Sequence, residues 1–178
     1  MAKRGATGIQ MLHRRWGEER LALVERCRMS DAELASFLES LISAERAGAR
    51  SLTPLLERTF PPIRTRLVHL QRVASRNIAA LGCILRRLGG EAAPSSAALP
   101  EPSLTRRSLR ARLELAKRGQ AWAARRIEGA LPRIGPRGVR QALDAVRDSH
   151  LLNIGICRGI LVDLDASLSP TTTWERSR

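Results

Sequence analysis

The sequence predicts an all-α protein, a bundle of four helices with one long crossover between the second and the third. Three observations carry this. Aromatic residues make up only 3 % of the 178 residues and tyrosine is absent, so the core must be aliphatic, which favours helices over a β-sandwich. Apolar residues recur in steps of three and four through four long stretches, the spacing of one helix face. Between the second and third stretches lie twelve residues, EAAPSSAALPEP, with no period at all; Ala, Pro and Ser in that mixture read as a connection.

The totals bound the rest. Hydrophobic residues are 43 % of the chain, enough for one globular domain with its own core, or one domain plus an arm. The apolar runs, such as Ile78–Leu85, fall well short of a membrane span. The opening residues MAKRGATGIQML lack the continuous apolar region of a signal peptide, so a cytoplasmic setting is expected. Cys27, Cys83 and Cys157 lie far apart with no C-x-x-C; no disulfide framework or zinc cluster is implied, and Cys83 and Cys157 read as small hydrophobes.

Residues 1–29 form a basic N-terminal arm. Within it Met11–Arg28 carries a ragged apolar stripe of Leu12, Trp16, Leu21 and Val24, and Glu18, Glu19 and Glu25 break the charge pattern of a transit peptide. The bundle is expected over 30–168, followed by a polar tail, 169–178. Its first helix starts at a capping box, Ser30-x-x-Glu33, and its seam reads Leu34, Leu38, Leu41, Glu45, Gly48, Leu52, Leu55. Pro54 is expected to kink this helix or to begin a second short one.

The second helix, Pro62–Leu88, has six arginines and no acidic residue, and closes on Gly89-Gly90. Leu67, Leu70, Ala74, Leu81, Ile84 and Leu88 mark its buried stripe, with Asn77 in the middle. The third helix, from about Ser103 to Leu131, has the seam Leu109, Leu113, Ala116, Gln120, Ala123, Ile127. The fourth, Arg137 to Leu168, carries Leu143, Val146, His150, Asn153, Cys157 and Ile160 along one face. Twelve extended residues at roughly 3.3 Å each reach about 40 Å, and a helix of roughly 26 residues is about 39 Å long. The linker can therefore run the length of the bundle and set helices two and three parallel.

Every seam is interrupted by polar residues near its midpoint: Glu45, Asn77, Gln120, and His150 with Asn153. Helices of similar length packed side by side bring these to one level. A buried carboxylate left unpaired is costly, so Glu45 is expected to pair with His150 while the amides fill the remaining positions.

AERAGAR around Glu45, a second helix ending ILRRLGGE, then RGQAWAARRIEGALPRI, then SHLLNI together resemble the ferritin-like superfamily. The likeness is to a small bacterial branch of unassigned function, over about Ser30 to Leu168. In the di-metal members, helix pairs supply a Glu and a Glu-x-x-His to two iron or manganese ions. Carried over, the resemblance implies Glu45 at the first carboxylate, Ala74 and Asn77 in place of Glu and His, and Gln120 in place of the third-helix Glu. His150 is retained, and Arg147 stands where its carboxylate partner would be. One carboxylate and one imidazole offset too little of the charge and lost hydration of two hard cations. A tyrosyl-radical relay is excluded because the chain has no Tyr.

These readings point to a non-catalytic bundle without a di-metal site, a structural or protein-interaction module with no cofactor. One rival is a residual iron- or manganese-binding protein, an oxidoreductase or metal store, with Glu45 and His150 holding a single ion. Another rests on the net charge of +14, which draws nucleic acid, an anionic surface or an acidic protein partner; Arg64, Arg72 and Arg76 are its contact candidates. Lys occurs only at 3 and 117, so a coding bias towards Arg accounts for the same charge without any partner. A homo-oligomer paired through a helix face is compatible with either. His13 and His69 read as solvated, and Asp144, Asp148, Asp163 and Asp165 as a surface that pairs with Arg.

Overall fold

The computed structural model describes residues 28–57, 59–91 and 108–168. Most of the expected basic arm, most of the linker and the polar tail lie outside the described residues. Among the described residues there are four α-helices, α1 (Asp31–Leu56), α2 (Pro61–Arg87), α3 (Leu109–Ala130) and α4 (Arg137–Leu168), with a 3-10 turn at Leu131–Arg133. Among the described residues there is no strand, and no helix is long and apolar enough to cross a membrane.

Local chemistry sets the ends. Ser30 Oγ accepts from the Glu33 amide at 3.2 Å while the Glu33 carboxylate accepts from the Ser30 amide at 2.8 Å, satisfying two orphan donors of α1. Pro54 does not break this helix, which runs on to Leu56. Pro54 and Arg50 are both exposed, so water can satisfy the Arg50 carbonyl that proline leaves without its helical donor. Pro61 and Pro62 open α2, one residue earlier than expected, where no amide hydrogen is needed. At its other end Gly89 takes φ +77°, and the Gly90 and Gly89 amides return to Leu85 and Arg86 carbonyls, each at 3.0 Å. This is a Schellman close. Ser108 caps α3 by accepting from the Ala111 amide at 3.3 Å; the expected start at Ser103 falls outside the described residues.

Two apolar clusters reveal the topology. One joins Leu38 and Ile42 from the first half of α1, Leu81 and Leu85 from the end of α2, Ile127 from the end of α3, and Leu143 from the start of α4. The other joins Leu52 at the end of α1, Ile63 and Leu67 at the start of α2, Leu113 at the start of α3, and Ile160 far along α4. Helices α1 and α4 therefore run one way, and α2 and α3 the other. The end of α2 and the start of α3 thus lie at opposite ends of the bundle. The hairpin pairs α1–α2 and α3–α4 pack most closely, and α1–α3 with α2–α4 complete the square.

Cys157 is buried, but Cys83 is exposed. Position 83 lies seven residues after Arg76, two helical turns along the same outward face, and away from the Leu81–Leu85 stripe. The acidic side of α4 pairs as surface charges do: Asp144 and Asp148 with Arg147, Asp163 with Arg66 of α2, and Asp165 with Arg110 of α3.

Candidate binding site

Between the two apolar clusters the helices bring Glu45, Asn77, Gln120, His150 and Asn153 to one level. Glu45 and His150 are 5 % and 2 % exposed. Asn77 Nδ2 donates to Glu45 Oε1 at 2.6 Å and to Ser149 Oγ at 3.0 Å, and the Ser149 hydroxyl donates to the Val146 carbonyl at 2.7 Å. Gln120 Oε1 lies 2.6 Å from His150 Nδ1 and accepts from Asn153 Nδ2 at 3.2 Å. His150 Nε2 is 3.3 Å from the same Glu45 Oε1 that Asn77 reaches. Asn153 Oδ1 is buried with no described partner.

The protonation pattern follows from burial. Loss of water pushes the Glu45 carboxyl up to about 7, with the Asn77 hydrogen bond opposing. The same loss pulls the His150 imidazole down to about 4. With Nδ1 donating to Gln120, neutral His150 turns its Nε2 lone pair towards Glu45, and below about pH 7 the raised carboxyl can place its proton in that contact. The contact joins an acid to a base, with no charge separated in the interior.

Sequence reasoning missed two features. Ser149 precedes His150 on α4 and carried no periodic signal of its own. The second is a cavity of about 480 Å³ between α1 and α3. Ala44 and Gly48 of α1 and Ala116 and Gly119 of α3 leave the space, and Glu45, Gln120 and His150 form its polar end. It reaches inward to Leu70 and Cys157 and has Trp122 among its lining residues. Burial raises the Cys157 thiol to about 11, so it stays protonated there. Trp122 is 42 % exposed, and the Arg126 guanidinium sits 5.2 Å from its ring and 5.9 Å from that of Phe37. The signal in the sequence was the facing of two seams that both turn to Ala and Gly in the same half of the bundle.

The other candidates lie elsewhere. Arg64, Arg72 and Arg76 are exposed on the outer side of α2, with Arg64 Nη2 donating to the Thr59 carbonyl at 3.3 Å. Ala74 lines the cavity without any donor atom in its side chain. Arg147 is engaged by Asp144 and Asp148 at 2.7 and 2.8 Å. Among the described residues no three His, Cys, Asp or Glu side chains gather where they could hold a metal ion.

Residues 32–158 match a family described as a domain of unknown function, DUF6306. The chain belongs to that family. The DUF6306 region runs from the first turn of α1 well into α4 and takes in the whole polar layer and the cavity. Comparison with curated proteins yields no match.

Proposed function

We propose that this DUF6306 chain is a ferritin-like bundle with no dinuclear metal centre, a structural or protein-interaction module and not an enzyme. The observation that carries the reading is the donor set of the layer. It offers one carboxyl, one imidazole, one hydroxyl and three amides, most already bonded to one another. Two iron or manganese ions would need several anionic oxygens, and neutral amides are poor substitutes for them. The single carboxyl is itself held towards its protonated form near neutral pH. The residues present do not fit a di-metal group, and the layer instead ties four helices at a fixed depth. The up-down-down-up order with one long crossover supports the superfamily assignment.

Metal analysis of protein purified without chelators tests this. Iron and manganese well below one ion per chain are expected. Near-stoichiometric content of either would overturn the reading in favour of a residual metalloprotein.

One observation favours a second reading. Helix α2 carries six arginines and no acidic residue, and Arg72, Arg76, Arg86 and Arg87 all stand exposed. On that reading the face binds the phosphates of a nucleic acid. Affinity for a short DNA duplex would then fall steeply with salt, and neutralising Arg72 and Arg76 together would flatten the log–log slope by about 2. A slope already flat in the unaltered protein excludes it.

A further inference from the structure

We infer that the cavity between α1 and α3 is a binding site for a small neutral molecule, with an apolar body and one hydrogen-bonding head that reaches Glu45. This rests on the layer being free of metal, because an ion would claim Glu45 and His150 first.

Size comes first. The cavity of about 480 Å³ is roughly three times the ~150 Å³ that accepts benzene in an engineered protein core, and lies within the usual range for ligand sites. Filled with solvent alone it would hold many waters. Its walls are mostly Ala, Gly and Leu, with polar side chains at Glu45, Gln120, His150 and Ser51, so waters against the apolar walls have few partners there. An apolar body displaces them to advantage.

The space is also not the residue of a tight packing constraint. A Cβ built on Gly48 or on Gly119 meets nothing within 4 Å. Two helix interiors thus keep glycine where a larger side chain would fit and would favour the helix. Trp122, steadied by Arg126, adds a flat aromatic surface that a ring can lie against.

The polar end selects the head group. Glu45 Oε1 is taken by Asn77 and approached by His150, and no described residue bonds Oε2, which is left to a ligand. An anionic head there would have to shed its water beside Oε2, an acceptor with no proton to offer it. A cationic head would be repelled at long range by a chain of net charge +14, and would have to shed its water beside a carboxyl already engaged by an imidazole. A neutral N–H or O–H donor meets neither penalty.

N-phenylnaphthylamine has this chemistry: three aromatic rings, no charge and one N–H. Its anionic analogue, anilinonaphthalene sulfonate, differs chiefly by charge. Titrating each into the full-length protein, the amine should bind saturably at one per chain with blue-shifted emission, and more tightly than the sulfonate. Gly48→Leu should weaken amine binding by about tenfold or more, with the helical circular dichroism spectrum and melting temperature retained. Should that variant not fold, Gly119→Leu on the facing wall serves instead, since a Cβ there also meets nothing within 4 Å. Absence of saturable binding to folded protein overturns the proposal, as does binding that ignores the filling substitutions. Equal or tighter binding of the sulfonate overturns the choice of a neutral ligand. Metal content measured on the same sample shows whether a failure belongs to the metal-free reading or to this one.

Discussion

The two apolar halves of the bundle are built from the same four helices and are filled differently. On the side of the layer nearest the start of α1, each helix contributes a large aliphatic residue with no exposure or nearly none: Leu38, Leu81, Ile127 and Leu143. On the other side α3 contributes Leu113, also fully buried, and then Leu115, Ala116 and Gly119 to the cavity wall, while α1 opposes them with Gly48. The second half holds the cavity. Periodicity decides which way a position points, whereas the volume of the residue decides whether the space is filled.

Core truncation breaks the comparison most forcefully. Leu38→Ala should cost about 3–4 kcal/mol in urea unfolding, since a closely packed site relaxes only in part. Leu52→Ala, on the cavity wall, should cost only about 1–2 kcal/mol because fewer neighbours are lost there. Equal costs would mean that the two halves are packed alike.

The layer between them offers a pH test of intermediate size. In the unfolded chain Glu45 and His150 titrate at ordinary values, 4.5 and 6.5, and in the fold at about 7 and about 4. Between pH 4.5 and 6.5 both states hold one titrating proton on this pair, on His150 when unfolded and on Glu45 when folded. Its contribution to stability is therefore nearly flat with pH in that window. In His150→Gln the raised carboxyl stands alone, and its share of stability, complete below pH 4.5, is lost as pH rises through about 7. In Glu45→Gln the lowered imidazole stands alone, and its share, complete above pH 6.5, is lost as pH falls towards 4. Each loss should be on the order of 2–3 kcal/mol, read by unfolding curves across pH. Slopes of the same sign in both variants would show that burial does not shift the two groups in opposite directions.

The smallest effect sharpens the contrast at single glycines. Gly48→Ala should raise stability by about 0.5–1 kcal/mol, as a helix-interior glycine beside open space. Gly89→Ala, at φ +77°, should lower it by about 1–2 kcal/mol. Thermal melts distinguish the two signs.

The number and order of the helices, the capping box at Ser30, the glycine close of α2 and the common level of five polar residues were all legible in the sequence. They depend on spacing and on backbone preferences that single residues advertise. The unbroken passage through Pro54 depended on solvent reaching the Arg50 carbonyl, and the exposure of Cys83 on the rotation of α2 about its axis. The cavity depended on two small-residue faces meeting, a property of pairs of helices that no single stretch displays. Ser149 entered the layer because α4 carries it to Asn77 of another helix, which its neighbours in sequence do not announce.

The hydrogen bonds of the layer divide by hairpin. Asn77 to Glu45 lies wholly within α1–α2, and Gln120 with His150 and Asn153 wholly within α3–α4. Among the described residues two polar contacts of the layer bridge the hairpins, Glu45 with His150 and Asn77 with Ser149. Each hairpin can thus assemble its own share from nearby chain, carrying one open valence to the encounter. A docking error of one helical turn would leave Glu45 and Asn77 facing aliphatic side chains, so the pair of bridging bonds acts as a vernier that admits a single alignment of the two halves.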